Sequence, residues 1–132
     1  MGILKRAISA AASAISMVLD ATDIVGEIEK IHKTSAVATA ALGRLSIAAS
    51  LMGYSLKNEN DSVTMRIDAD GPLVQLVAVA DSKGNVKSCV NNPIVEIPLN
   101  SAGKLDVGSA VGKNGTLSVV KDLGLKEPYV GI

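Results

Sequence analysis

Residues 36–53 read Ala-Val-Ala-Thr-Ala-Ala-Leu-Gly-Arg-Leu-Ser-Ile-Ala-Ala-Ser-Leu-Met-Gly, a helix-length run that is apolar or small on every face. A helix without a polar face is either enclosed by protein or inserted in a bilayer, and Arg44 at its middle separates the two cases. An arginine at the bilayer centre costs about 2.5–3.5 kcal/mol on the insertion scale, and a run of alanine and serine has too little leucine to offset it. The pattern therefore predicts a helix buried inside a soluble domain. Ala40, Gly43, Ala48 and Ala49 would let layers approach it from more than one side. Arg44 is then expected to be a buried charge that needs a carboxylate or carbonyl partner, whose removal would cost about 3–5 kcal/mol.

The flanking segments supply the layers. Residues 20–33 place Ile24, Ile28 and Ile31 at helical spacing, with Thr22 or Asp23 as N-cap and Lys30, His32 and Lys33 where the helix dipole favours cations. Thr34-Ser35 offers the cap of the following helix. Beyond Lys57-Asn-Glu-Asn-Asp61 the period changes to two: Val63, Met65, Ile67 and Ala69 alternate with Thr64, Arg66 and Asp68, which predicts a strand buried on one face. Asp70-Gly-Pro72 turns the chain, and the near-continuous apolar run 73–80 predicts a central strand covered on both sides. Asp81-Ser-Lys-Gly-Asn85 is a hairpin loop into a strand at 86–90, and Pro98 confines any strand over 94–99 to an edge.

In the glycine-punctuated tail, Leu105-Asp-Val and Ser109-Ala-Val show a strand pattern, Lys113-Asn-Gly115 a turn, and 116–121 the returning strand. Helices first and sheet afterwards indicate an α+β domain with an antiparallel-rich mixed sheet.

The 132 residues suffice for one domain with a real core. Thirteen basic residues balance thirteen acidic ones, which argues against a cationic nucleic-acid surface, and Tyr54 and Tyr129 are too few for base stacking. Lys5 and Arg6 followed by an apolar stretch resemble the start of a signal peptide, but Ser9, Ser13 and Ser16 interrupt a run that is mostly alanine. With Cys89 the only cysteine, the chain closes no internal disulfide and builds no cysteine-rich zinc site.

Few residues invite chemistry. Gly108-Ser-Ala-Val-Gly-Lys113 resembles a phosphate loop, but a phosphate loop has four residues between its glycines and Ser or Thr after the lysine; here there are three and Asn114. A small anion- or nucleotide-binding enzyme using Gly108 and Lys113 stays open as the alternative class. His32 and Cys89 lie on separate elements without an orienting motif, and Asp68 with Asp70 flanks a solvated turn. The residues alone favour an interaction role over catalysis.

Lys30-Ile-His-Lys-Thr-Ser35, Ala38-Thr-Ala-Ala-Leu-Gly-Arg-Leu45, Ala48-Ala-Ser-Leu-Met-Gly53, Asp70-Gly-Pro72, Gly112-Lys-Asn-Gly115, Lys121-Asp-Leu-Gly124 and Glu127-Pro-Tyr-Val-Gly131 occur in this order. Together they closely resemble the thirty-three-kilodalton heat-shock chaperonin family, the bacterial redox-regulated holdases. The resemblance runs from about Asp20 to Gly131 and implies a three-layer β/α/β core around a buried helix. It further implies a cytoplasmic, ATP-independent chaperone that binds unfolding client proteins under oxidative and heat stress and works as a homodimer, with strand exchange between chains one way to form it; nucleic acid and membrane are not expected partners. In that family a C-terminal module binds zinc through four cysteines when reduced and forms disulfides when oxidised. This sequence stops before such a module, so no residue is assigned a zinc or redox role, no cofactor is expected for it, and a truncated core is the expectation. Residues 7–14 depart from the family's usual start, which leaves a first strand at 14–19 open. The surface expected to meet clients or a second chain is Leu105, Val107, Val111, Leu117 and Val119.

Overall fold

The structure, a computed structural model, describes residues 2–132. Along the chain run β1 (Ile3–Ile8), β2 (Ile15–Asp20), α1 (Thr22–His32), α2 (Ala36–Tyr54), β3 (Ser62–Ala69), β4 (Gln75–Asp81), β5 (Val86–Val90), α3 (Val107–Val111), β6 (Gly115–Asp122) and β7 (Tyr129–Gly131). Strands β1 and β2 form a separate hairpin; the others form one sheet of order β5-β4-β3-β6-β7. Among the described residues every strand pairing is antiparallel, so the sheet is not the mixed one expected. The α+β class is as expected, with α2 against one face of the five-stranded sheet, but the order is not: a hairpin precedes the two long helices and α3 interrupts the strands.

Small residues bring α2 down onto that sheet. Leu42, Ala38 and Ala49 are fully buried against Val63, Leu76, Ala78 and Ala80. A Cβ at Gly53 would collide with the Asp81 carbonyl and lie 2.8 Å from Ala80 Cβ, so only glycine lets this end of the helix reach β4. At Gly43 a Cβ would sit 3.0 Å from a Val25 methyl, which shows how closely α1 packs alongside. The serines that dilute the helix are partnered within the fold. Ser46 Oγ donates to Leu42 O at 2.7 Å and shares a 2.9 Å bond with Ser88 Oγ, and Ser50 Oγ donates to Gly84 O at 2.6 Å. By length and composition α2 could cross a membrane, but 56% of its most apolar window is buried inside the fold.

Arg44 corrects the expectation of an enclosed charge. It is exposed on the side of α2 turned away from the sheet, where Ala36 is also exposed and Ala40, Ile47 and Leu51 are half-buried. The helix is covered by the sheet, α1 and α3, and the remaining arc reaches solvent. A guanidinium on that arc stays hydrated, and the cost of burying a charge never arises.

Other boundaries depart from prediction for local reasons. The expected caps Thr22 and Asp23 lie inside α1; Asp20 fills the capping role, its Oδ1 accepting from Thr22 N at 3.1 Å and Thr22 Oγ1 at 2.7 Å. Ser35 precedes α2, but its hydroxyl donates to Val95 O at 2.9 Å and accepts from Val95 N at 3.0 Å. These bonds pin residues 94–99, where Val95 is buried and no strand forms. Strand β4 is covered on one face only: Leu76, Ala78 and Ala80 are buried, while Val79 on the other face is exposed. Residues 107–111 form helix α3 instead of a strand, since the Asp106 carboxylate accepts from Ser109 N at 3.1 Å and Ser109 Oγ at 2.7 Å and caps a helical turn. The strand starting at Gly115 consequently pairs with β3, and Asn114-Gly115 joins a helix to a strand.

The N-terminal stretch forms a hairpin. Its turn closes through Ser9, whose N–H donates to Ala14 O and whose Oγ accepts from the N–H groups of Ser13 and Ala14, with Ala12 at φ 56°.

Candidate functional site

The five residues expected at a client or dimer surface do not share one hairpin. Val107 and Val111 lie on α3 and Val119 on β6 opposite Met65, and all three pack against the core. Leu105, ahead of α3, and Leu117, opposite Ile67, keep exposed surface. Packing therefore takes the three valines into the fold and leaves two leucines accessible.

The glycine loop that resembles a phosphate cradle is already occupied by a carboxylate of its own chain. Asp70 Oδ1 accepts from Lys113 N at 3.0 Å and Asn114 N at 3.2 Å, and Oδ2 accepts from Asn114 Nδ2 at 3.0 Å. The Asn114 side chain, then its N–H and that of Lys113, hold the Asp70 carboxyl below the usual carboxylate range. An anion arriving here would meet a negative charge on the very amides it needs. Gly112 at φ 112° makes the close approach possible, because a Cβ there would strike Asp70 Oδ1 and Gly71 N.

The remaining reactive side chains are dispersed. Asp68 accepts from Arg66 Nε at 2.7 Å and from Gln75 Nε2 at 2.7 Å; these bonds, Arg66 first, keep its carboxyl low and make it part of a surface ion pair. Ser88 turns its hydroxyl towards α2, so Cys89, next along the strand, lies on the opposite face, exposed and away from His32 on the helix side. Among the described residues no three of His, Cys, Asp and Glu converge as metal ligands. The residues present do not fit a zinc site of the kind the resemblance brings to mind.

Sequence reasoning missed the concentration of accessible apolar surface around the N-terminal hairpin and α1. Ile3, Ile8, Ile15, Val18 and Ile31 are each more than three-fifths exposed. Beside them runs a groove of about 790 Å³ between the hairpin, α1 and the edge of β5. Leu4 and Leu19 line it from the hairpin, Ile24, Ile28 and Ile31 from α1, and Val86 from β5. The available signal was the alternation Ile15, Met17, Leu19, which puts three apolar side chains on one hairpin face.

The profile of the family described as Hsp33 protein matches residues 3–132. A 33 kDa chaperonin of Acetivibrio thermocellus is 54% identical over 110 residues, covering 83% of this chain and 37% of its own length. The 33 kDa chaperonin of Alkaliphilus metalliredigens is 48% identical over 126 residues, covering 96% and 43%. The crystal structure of the 33 kDa chaperonin (heat shock protein 33 homolog) from Thermotoga maritima superposes with a TM-score of 0.90 at 36% identity, over 97% of this chain and 43% of that one. The chain spans about two-fifths of the length of these relatives.

Proposed function

The chain belongs to the Hsp33 family, and we propose that it forms the client-holding core of an ATP-independent chaperone, which binds unfolding proteins by apolar surface and performs no covalent chemistry. The match over residues 3–132, shared with proteins named 33 kDa chaperonin, carries this reading. The apolar side chains exposed on the hairpin and α1 support it physically, because an unfolded client offers apolar segments that bind without specific chemistry. A cytoplasmic location and a homodimeric working form go with the reading, as does holding without a bound cofactor. So does indifference to peroxide, since the chain carries no second cysteine with which Cys89 could close an intramolecular disulfide.

Light scattering of a heat-denaturing enzyme tests the proposal. The expected outcome is that the folded chain, added in stoichiometric amounts, suppresses the scattering equally with and without peroxide. Undiminished scattering in the presence of folded protein would refute the holding function; activation by peroxide would refute its independence of a thiol switch.

A further inference from the structure

Strand β5 ends the five-stranded sheet, and among the described residues its pairing is with β4. Asp81 N–H donates to Asn85 O at 3.0 Å and Asn91 N–H to Gln75 O at 2.9 Å, which fixes the phase of the ladder at both ends of the strand. Because hydrogen-bonded pairs alternate in an antiparallel ladder, Lys87 and Cys89 point their backbone groups at β4, while Val86, Ser88 and Val90 point theirs outward. That outward edge borders the groove, whose far walls are the apolar faces of α1 and the hairpin. Edge strands are commonly blunted by proline or a bulge. Val86-Lys-Ser-Cys-Val90 contains no proline and runs in unbroken register with β4, with Lys87 as its one charge.

We propose that this groove receives one extended segment of an unfolded client, added to β5 as a further strand. The inference rests on the chaperone reading and deepens it by naming the site and the form of the partner. Segment residues opposite Val86, Ser88 and Val90 turn their side chains to the α2 side, against Ile24, Ile28 and Leu19. The intervening residues stand on the outer face beside the exposed Lys87; Lys83, at the loop end of the groove, already faces Glu59 at 3.9 Å. Charge complementarity thus selects segments in which apolar residues alternate with acidic ones; Glu27 on the α1 wall disfavours acidic side chains pointing inward. A second copy is a poorer occupant, because pairing two β5 strands about a two-fold at Lys87 or Ser88 sets both Lys87 side chains opposite or diagonal to one another.

The test uses a fluorescein-labelled, end-blocked heptapeptide alternating valine and glutamate, titrated against the folded chain by fluorescence anisotropy. N-methylation of the valine amides, which face β5, is expected to weaken binding by about tenfold or more, while N-methylation of the glutamate amides leaves it nearly unchanged. Lys87→Glu is expected to weaken the glutamate peptide and strengthen a valine–lysine counterpart. Equal effects of the two methylation patterns, or a Lys87→Glu variant blind to peptide charge, would overturn the proposal. Absence of peptide binding by a chain that still suppresses client scattering would overturn the site and leave the holding function standing; absence of both would overturn both. A dimer in sedimentation that the peptide cannot dissociate would give the edge to a second copy and overturn the proposal as well.

Discussion

The sheet with α2 and the N-terminal hairpin are built on opposite terms. In the first, Leu42, Leu73, Leu76 and Val63 are all but inaccessible, and the buried hydroxyls of Ser46 and Ser50 are partnered. In the second, two strands carry Ile3, Ile8, Ile15 and Val18 largely in solvent. An isolated two-stranded hairpin is marginal in water, so this one depends on its contacts with the rest of the fold. The contrast separates stability from interaction: the side chains that hold the fold are withdrawn from partners, and those that can meet partners hold little of the fold.

Substitutions can break that contrast. Leu42→Ala should cost about 3 kcal/mol of unfolding free energy in urea melts, as expected for a leucine removed from a closed core. Ile15→Ser, two-thirds exposed, should stay within about 0.5 kcal/mol while weakening suppression of client scattering. Equal costs at the two positions would erase the distinction. Within the sheet region Val74 sits at φ 67° in the β3–β4 turn, a conformation that disfavours β-branched residues; Val74→Gly should raise stability by about 1 kcal/mol, measured by the same melts.

The smallest of these effects is that of Asp70→Asn, and it is present near neutrality and fades in acid. The folded-state carboxyl is depressed, so its stabilising contribution is present above the unfolded value of about 4 and is lost as pH falls through the lower folded value. Acid titration followed by circular dichroism should show a shallower acid limb in the variant. An unchanged limb would mean that the Asp70 bonds do not contribute to stability.

Legibility followed the same division. Strand β3 and the Asp81–Asn85 loop were plain because alternation and turn chemistry there act locally; Asp81 accepts from the N–H groups of Lys83 and Asn85 as such a loop requires. α2 was plain from its length, but not which arc stayed open: Arg44 marks the exposed side, whereas the apolar content of the run alone points to an enclosed helix. α3 was obscured because Val107, Ser109 and Val111 alternate as in a strand while Val107, Ala110 and Val111 also fit a helical face, and the Asp106 cap decides between them. The β1–β2 turn lacks glycine, asparagine and proline, so nothing in residues 9–14 announced it; the Ser9 hydroxyl does the closing. The five tail residues Leu105, Val107, Val111, Leu117 and Val119 divide for a related reason, since they could not be sorted into packed and accessible ones before α3 and β6 had been placed.

The pairing of β6 with β3 has a consequence for the order of events on the ribosome. β3, β4 and β5 follow one another as a meander whose turns close locally, whereas Ser62 on β3 must wait for Asp122 before its other edge is covered. Loop closure over that distance is slow relative to the hairpins, so helix α2 and the meander can assemble while β3 still presents an open edge. During synthesis this chain therefore passes through a stage in which β3 displays an unpaired edge of the kind that favours association between chains.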